Sequence, residues 1–266
     1  MRGSATNCGP MSPEVSTQDL TDDAVLGGRL KILQPRRGHR VGHDAILLAA
    51  ATAAVAGERA VDLGAGVGSA GLALAVRVEG LSVTLVDIDP DLTALARENA
   101  TRNGLADRVS ALALDVTAPD GVAAALAPSS IDRVLMNPPF NDPARQQVSP
   151  DLRRQRAHAA PRDLLRTWVE TAGRILRPGG TVTLIFHANG IADVLHALSA
   201  GYGAIAVLPI HPTPSASAIR ILARAVKGSH APISLRQGLV LNNDNGKPSV
   251  QADAVLRHAA ALSFNP

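Results

Sequence analysis

The strongest constraint on the fold is an alternation between short segments of β-branched and other apolar residues and longer segments with helical spacing of Ala and Leu. Alternation of this kind is typical of successive βαβ units, which place parallel strands in one sheet. The pattern predicts strands at residues 60–63, 82–87, 109–114, 131–136, 181–187, 204–209 and 217–224. It predicts helices at residues 44–55, 69–78, 90–103, 161–176 and 190–200, with a shorter helix near residues 251–262.

The connection between the last two predicted strands determines their relative direction. Residues 210–216 include Pro212 and Pro214 and are too few for a crossover helix, so we expect these strands to pair antiparallel. Right-handed crossovers place the other helices on both faces of the sheet. The sequence therefore predicts an α/β fold with a Rossmann-like sheet of seven strands, mainly parallel, with an antiparallel last strand.

Length and composition are compatible with one domain. The 266 residues are 46% hydrophobic and 2% aromatic, so Ala, Leu and Val must fill the core. Cys8 is the single cysteine, which excludes an internal disulfide and favours a reducing cytoplasm. The longest apolar run, residues 45–56, is shorter than the roughly 20 residues that span a bilayer. We expect a flexible tail over residues 1–22 and one domain over residues 23–266.

A glycine-rich turn, DLGAGVGSAG at residues 62–71, lies where the first of these strands leads into a helix. A tight βα turn explains a single glycine, whereas three alternating glycines favour a ligand that approaches the backbone closely. Residues 66–71 match the G-x-G-x-x-G dinucleotide pattern, so a nicotinamide cofactor is one alternative. Asp62 argues against it, because a carboxylate beside the loop repels a pyrophosphate.

S-adenosylmethionine suits this turn better, because it carries an ammonium and a sulfonium in place of phosphates. Asp62 can accept a charge-assisted hydrogen bond from the ammonium. Asp87, at the end of the second strand, can accept from both ribose hydroxyls. Asp115, after the third strand, can receive the adenine amino group, and a simple turn carboxylate is its alternative. The predicted cofactor contacts are Asp62, Gly64, Ala65, Gly66, Gly68, Asp87, Ile88, Asp115, Val116 and Asn137.

The segment Asn137-Pro138-Pro139-Phe140 follows the fourth predicted strand, in the crevice where ligands of such sheets bind. An exocyclic amine of adenine, or a side-chain amide, is a poor nucleophile because its lone pair is delocalised. The Asn137 side-chain oxygen and the Pro138 carbonyl can accept its two N–H groups and direct the lone pair at a methyl donor. The prolines stiffen this geometry, and the Phe140 ring offers a stacking surface for a base. We predict these four residues as catalytic, with a rigid structural loop as the alternative.

With both motifs present, the chain resembles the amino-methyltransferases of the class I fold. Within them, the segments LGGR at 26–29, QPRRGHR at 34–40 and DAILLA at 44–49 resemble the bacterial group that methylates adenine N6 beside the anticodon of a valine tRNA. The resemblance runs from about residue 26 to residue 262. It implies S-adenosylmethionine as cofactor and adenine in tRNA as substrate. His43 departs from the pattern of that group, and we expect its side chain at the surface.

Two clusters of basic residues lie near these motifs. The predicted substrate contacts are Arg153, Arg154 and Arg156, and the same cluster continues with Arg145, Arg162 and Arg166. Its position after the tetrapeptide favours contacts with RNA phosphates, and a solvated face is the alternative. The second cluster comprises Arg36, Arg37, His39 and Arg40. We expect RNA, tRNA in particular, as partner, and neither a membrane nor a metal, because no Cys/His cluster has ligand spacing.

Other functions remain open from the sequence. A protein glutamine-N5 or an rRNA guanine-N2 methyltransferase would use the same tetrapeptide, although the former normally carries an N-terminal helical domain and 25 residues precede Leu26. A nicotinamide-dependent oxidoreductase would use residues 66–71 and leave Asn137 without a role. A cofactor-binding but inactive RNA-docking module is disfavoured by the presence of Asn137 and Asp62.

Overall fold

The computed structural model describes residues 20–37, 40–139 and 161–264, which form a sheet with helices on both faces. The strands are β1 (Leu20–Val25), β2 (Leu30–Pro35), β3 (Arg59–Leu63), β4 (Ser82–Asp87), β5 (Val109–Ala113), β6 (Ile131–Met136), β7 (Leu176–His187), β8 (Tyr202–His211), β9 (Arg220–Lys227), β10 (Ser234–Leu235) and β11 (Leu239–Val240). The helices are α1 (His43–Ala51), α2 (Ser69–Arg77), α3 (Pro90–Arg102), α4 (Pro119–Leu126), α5 (Pro161–Ile175), α6 (Ile191–Leu198) and α7 (Val250–His258).

The central sheet has the strand order β10-β8-β9-β7-β6-β3-β4-β5, and β11 also pairs with β8. Strands β3 to β7 run parallel to one another. β9 lies between β7 and β8 and is antiparallel to both. This arrangement confirms the predicted Rossmann-like sheet, in which the last of the seven predicted strands is antiparallel.

The seven predicted strands are all present, and two of them have clearly different bounds. β7 begins at Leu176 instead of residue 181, because Leu176 already pairs with Ile131 at the start of β6. β9 begins at Arg220 instead of residue 217, because the turn after β8 extends over residues 212–219. The sequence did not indicate the β1–β2 pair, α4 or the short strands β10 and β11. β1 begins at Leu20, inside the range that was predicted as a flexible tail.

The core is divided by the sheet into two layers. Helices α1, α2, α3 and α7 supply buried side chains to one layer, which also contains Phe264. Helices α4, α5 and α6 supply the other, which contains Trp168 and Tyr202. Each parallel strand is thus covered on both faces, and its carboxyl end is left as the accessible edge of the sheet.

Asn99 of α3 and Asn103, which follows the last residue of that helix, hold the β1–β2 hairpin against the domain. Asn99 is fully buried; its Oδ1 accepts from the Leu33 N–H at 2.7 Å, and its Nδ2 donates to the carbonyls of Leu33 at 2.9 Å and Val67 at 3.1 Å. One turn later, Asn103 makes the same pair of bonds with the N–H and C=O groups of Lys31. The two side-chain amides form hydrogen bonds with backbone N–H and C=O groups on the outer edge of β2, as a third strand would.

We expect Asn99→Ala to destabilise the protein by about 2 to 3 kcal/mol, because the partly buried N–H and C=O groups of Leu33 and the buried Val67 carbonyl lose the Asn99 amide as a partner. Urea unfolding followed by circular dichroism measures the change. Thr101→Ala is the control, because Thr101 lies exposed on the same helix, and it should change stability by less than about 0.5 kcal/mol. Equal losses in the two variants would contradict the role of the Asn99 amide.

Candidate active site

The glycine-rich turn between β3 and α2 is held over the end of β4 by backbone hydrogen bonds. The N–H groups of Gly64 and Ala65 both donate to the Val86 carbonyl, at 2.8 and 2.9 Å. Gly64, Gly66 and Gly68 have φ angles of 72°, 56° and 89°, in the left-handed region that favours glycine. The turn therefore requires glycine at all three positions to keep this shape.

The space around each glycine shows which part of the turn faces a ligand. A Cβ atom placed on Gly64 would lie 2.3 Å from Cη2 of Trp168, and one on Gly68 would lie 2.8 Å from Cδ1 of Leu85. A Cβ atom on Gly66 would have no heavy atom of the described residues within 4 Å, apart from its chain neighbours. Gly66 thus borders open space at the carboxyl edge of the sheet.

Asp62 is buried beneath the turn, with 2% of its surface exposed. Its Oδ2 accepts a hydrogen bond from the Gly71 N–H at 2.8 Å, in the first turn of α2. Burial raises the pKa of the Asp62 carboxyl to about 7; the Gly71 hydrogen bond opposes this rise, and the charge of Asp87 adds to it. A cation bound at the turn would favour the ionised carboxylate, which fits the ammonium expected there.

Asp87, at the end of β4, is hydrogen-bonded through both carboxylate oxygens. Oδ2 accepts from the Gly66 N–H at 2.8 Å, and Oδ1 accepts from the Asp89 N–H at 3.0 Å. The side chain is partly exposed, as is that of Ile88, which follows it. A carboxylate oxygen can accept a second hydrogen bond, so Asp87 fits the predicted contact with ribose hydroxyls.

The loop after β5 reaches the same edge of the sheet. The Leu114 N–H donates to the Asp87 carbonyl at 2.9 Å. Oδ1 of Asp115 accepts from the N–H and the hydroxyl of Thr117, at 2.8 and 2.7 Å, as a turn carboxylate does. The predicted contact of Asp115 with an adenine amino group stays a prediction and would use Oδ2. Val116 is buried, and its carbonyl accepts from the Thr171 hydroxyl of α5 at 2.7 Å.

Asn137 begins the predicted catalytic tetrapeptide, directly after β6. Leu63 of β3 pairs with Met136 of β6, so the residues that follow them, Gly64 and Asn137, are neighbours at the carboxyl edge. Oδ1 of Asn137 is buried and has no hydrogen-bond partner in the described part of the chain. An unpaired buried acceptor costs about 1–3 kcal/mol, so a donor that reaches Oδ1 would bind favourably.

The other members of the tetrapeptide and the basic clusters are described only in part. Pro138 is buried and Pro139 is partly exposed. Phe140, Arg153, Arg154 and Arg156 lie outside the described residues, as do His39 and Arg145. Their proposed roles stay predictions. In the second basic cluster, Arg36 and Arg37 are exposed, and Arg40 forms an ion pair with Asp23 at 2.8 Å.

The structure places two further groups of side chains at this edge that the sequence analysis did not assign to the site. Trp168 of α5 packs against Gly64, and its rarity in a chain with 2% aromatic residues is the signal that could have found it. Oδ2 of Asp44, at the start of α1, accepts from Nε of Arg220 at 3.0 Å. Nη1 of Arg220 lies 3.1 Å from Nδ1 of His187, across the β7–β9 pair. No local pattern connects Asp44 with Arg220.

A mainly parallel sheet of this order, with a glycine-rich turn after β3 and an Asn-Pro-Pro segment after β6, is typical of the class I methyltransferases. The methyltransferase small domain model matches residues 40–208. Because this range covers more than half of the chain, the chain belongs to that family.

Individual relatives agree with this assignment. The chain is 28% identical over 154 residues to the release factor glutamine methyltransferase of Chlorobaculum tepidum, covering 56% of this chain and 52% of that relative. It is 29% identical over 199 residues to the tRNA1(Val) (adenine(37)-N6)-methyltransferase of Aeromonas hydrophila, covering 71% of this chain and 77% of that relative. A crystal structure of a predicted O-methyltransferase, protein Atu636 from Agrobacterium tumefaciens, is 30% identical with a TM-score of 0.71, covering 84% of this chain and 100% of that chain. The chain thus spans about half the length of the release factor glutamine methyltransferase.

These findings confirm the predicted fold and the predicted class, the S-adenosylmethionine-dependent methyltransferases. They argue against the nicotinamide-dependent oxidoreductase, whose sequence support was residues 66–71 alone. Within residues 20–37, 40–139 and 161–264, no group of three or more His, Cys, Asp or Glu side chains could hold a metal ion. In the same ranges, no helix combines the length and apolar character that crossing a membrane requires.

We expect Asp62→Asn to change the dependence of stability on pH. Between the unfolded pKa of 3.8 and the folded pKa of about 7, the native carboxyl holds a proton that the unfolded chain has released. The parent is therefore most stable, relative to the variant, below about pH 4, and it loses this advantage as the pH rises through about 7, by at most about 1.4 kcal/mol per pH unit.

Urea unfolding of both ligand-free proteins across this pH range measures the effect as a difference, so that other titrating groups cancel. Asn245→Ala, in an exposed turn, is the control and should follow the parent at every pH. A difference between the parent and Asp62→Asn that stays constant with pH would show that the buried carboxyl titrates normally.

Proposed function

We propose that the chain transfers a methyl group from S-adenosylmethionine to the N6 amine of an adenine in tRNA. The observation that carries the proposal is Oδ1 of Asn137, a buried acceptor beside the glycine-rich turn that has no hydrogen-bond partner among the described residues. This atom is complementary to an N–H donor presented next to the cofactor. A tRNA substrate also places the protein in the cytoplasm.

The residues at the turn fit S-adenosylmethionine, which supplies an electrophilic methyl group on a positively charged sulfur. Gly66 borders the open space that the cofactor would occupy. Asp87 holds the turn through Gly66 and retains acceptor capacity for ribose hydroxyls. The Asp62 carboxyl is buried and its pKa is raised, so the methionine ammonium would stabilise its ionised form.

Asn137 and Pro138 act on the amine that accepts the methyl group. Oδ1 of Asn137 would accept one N–H, and the Pro138 carbonyl would accept the other. Two hydrogen bonds in these directions reduce delocalisation of the nitrogen lone pair and aim it at the methyl group, which is stabilisation realised chiefly in the transition state. The methylated nitrogen loses its extra proton readily to water, so no general base is required.

RNA is the favoured substrate for two reasons. The relative from Aeromonas hydrophila, which is named for adenine N6 methylation of a tRNA, aligns over a larger share of both chains than the glutamine methyltransferase does. The predicted basic cluster follows the tetrapeptide, and its described member Arg166 is exposed on α5. Phosphate contacts of such arginines position an RNA strand.

A side-chain amide of a protein glutamine is the second candidate substrate. It is favoured by the similarity to the release factor glutamine methyltransferase of Chlorobaculum tepidum. The chemistry is the same, because a primary amide also presents two N–H groups on a delocalised nitrogen. The two substrates are therefore separated by assay rather than by the geometry at Asn137.

We expect the purified protein to bind S-adenosylmethionine and S-adenosylhomocysteine, and not NAD, in isothermal titration calorimetry. Asp87→Ala should weaken cofactor binding by about 1 to 3 kcal/mol, because ribose hydroxyls lose an acceptor and the Gly66 N–H loses its partner. Asp91→Ala, exposed on α3, is the control and should bind like the parent. Saturable NAD binding without S-adenosylmethionine binding would overturn the proposed function.

We expect Asn137→Ala to lower the single-turnover rate of methyl transfer at least about 100-fold, because a hydrogen bond made in the transition state is lost. Its cofactor dissociation constant should stay within about two-fold of the parent, because the proposed role of the side chain is to contact the amine. Asn245→Ala, in an exposed turn, is the control for both measurements.

The same assay, run with tRNA and with a release factor protein, separates the two substrates. Mass spectrometry should find N6-methyladenosine in tRNA and no methylglutamine in the protein. The reverse product pattern would replace the tRNA assignment with the protein substrate. A near-parental rate in Asn137→Ala would show that the tetrapeptide is a stiff loop without a chemical role.

A further inference from the structure

A row of arginine and threonine side chains crosses one face of the central sheet. Arg133 of β6 pairs with Thr181 of β7, and Thr183 of β7 pairs with Arg224 of β9. Side chains alternate between the two faces along a strand, so Thr181 and Thr183 share a face, and residues paired across strands share it as well. The four side chains therefore lie next to one another on three adjacent strands.

Arg236, directly after β10, extends this row beyond β9. Its N–H donates to the Val207 carbonyl of β8 at 2.8 Å, which continues the pairing of β10 with β8. Ser234 of β10 pairs with Ala206 of β8, and Ala206 pairs with Arg224. Because Arg236 is two residues after Ser234, it lies on the same face as Arg224, and the small side chain of Ala206 separates them.

Arg133 differs from the other two arginines because an acid neutralises it. Its Nε and Nη2 donate to the two carboxylate oxygens of Glu58 at 2.8 and 2.5 Å, and its Nη1 donates to the Thr181 hydroxyl at 3.1 Å. Among the described residues, neither Arg224 nor Arg236 has a carboxylate within ion-pair distance. The row therefore holds two positive charges that no described acid neutralises.

Two polar atoms of this row are buried and have no hydrogen-bond partner in the part of the chain that the structure describes. They are Oγ1 of Thr183 and Nε of Arg236. Thr183 has no exposed surface, and its hydroxyl can donate, whereas Nε of Arg236 can only donate. A donor that stays unpaired away from water is costly. A ligand rich in acceptor oxygens would satisfy both atoms.

The Arg224 guanidinium is held against the ring of Phe264. Its Cζ atom lies 4.8 Å from the ring centroid, and Phe264 is 1% exposed. An aromatic ring over the guanidinium leaves the N–H groups in its plane for other acceptors. Burial, and then the positive charges of Arg133 and Arg236, hold the pKa of Arg224 below its ordinary value. A bound anion would offset both causes.

We propose that Arg224 and Arg236, together with the Thr183 hydroxyl, bind a phosphate group, either free or esterified. Such a group carries up to two negative charges, which match the two guanidinium groups, and its oxygens accept from their forked N–H donors. Both arginines are partly exposed, so a dissolved anion can reach them.

This site is separate from the glycine-rich turn. Thr183 lies four residues before the end of β7, which is about 13 Å from the carboxyl edge of the sheet. The inference therefore goes beyond the proposed methyl transfer and does not depend on it.

The first test is isothermal titration calorimetry with inorganic phosphate, at an ionic strength kept constant with chloride. We expect one phosphate per chain with a dissociation constant of about 1 mM or tighter, as two charge-assisted hydrogen bonds imply. Arg236→Gln should weaken binding at least about ten-fold. Arg257→Gln, which removes an exposed arginine of α7, is the control and should bind within about two-fold of the parent.

The second test uses Thr183→Val, which keeps the shape of the side chain and removes the hydroxyl. We expect phosphate binding to weaken about five-fold. The melting temperature without phosphate should stay the same or rise, because the variant loses a buried hydroxyl that has no partner among the described residues. Thr183→Ser retains the hydroxyl and should bind phosphate within about two-fold of the parent. A parent whose phosphate affinity equals that of both Arg236→Gln and Thr183→Val would overturn the proposal.

Fluorescence anisotropy with labelled tRNA identifies the source of the phosphate group. If RNA supplies it, Arg236→Gln lowers tRNA affinity at least about five-fold more than Arg257→Gln does. If the two variants bind tRNA equally and the parent binds inorganic phosphate, the ligand is free phosphate or a small phosphate ester. Equal tRNA affinities without saturable binding of inorganic phosphate would overturn the proposal. These measurements need no methyl donor, so they are decided separately from the proposed function.

Discussion

The hydrogen bonds that pin the glycine-rich turn to the end of β4 are the interactions on which the site depends. Val86 and Asp87 together accept three successive N–H groups of the turn, from Gly64, Ala65 and Gly66. Because these acceptors belong to β4, which is paired on both sides by β3 and β5, the turn is positioned by the sheet. The same carboxylate that would bind ribose thus shapes the loop that faces it, and a substitution of Asp87 disturbs both.

Asp62 shows how the site exchanges stability for binding. A carboxylate this deeply buried is disfavoured in its charged form, which is why its pKa rises towards neutrality. The Gly71 hydrogen bond compensates for this only in part. A ligand that carries an ammonium offsets the cost of the charged Asp62 carboxylate. We therefore expect ligand binding to increase the free energy of unfolding most at the pH values where this carboxylate is ionised.

Much of the fold and of the candidate site could be predicted from local sequence. The alternation of apolar segments predicted the seven strands and their directions, because strand and helix periods differ along the chain. Residue types at strand ends then predicted a shared site, since the carboxyl ends of parallel strands meet at one edge. Gly66 and Asp87 prove to be in contact, and Asn137 lies beside Gly64.

Contacts between distant residues were decided only by the tertiary structure. The polar segment LTDDAV of β1 is a strand because β2 pairs with it, and Asn99 in turn holds β2. The ion pair of Asp44 with Arg220 spans 176 positions. The sequence by itself determined which residue types stand at the ends of the strands, because periodicity and turn chemistry are local. The tertiary structure alone decided that Trp168 covers Gly64 and that Asp62 is buried deeply enough to shift its pKa, because burial and close approach arise only when distant segments pack together.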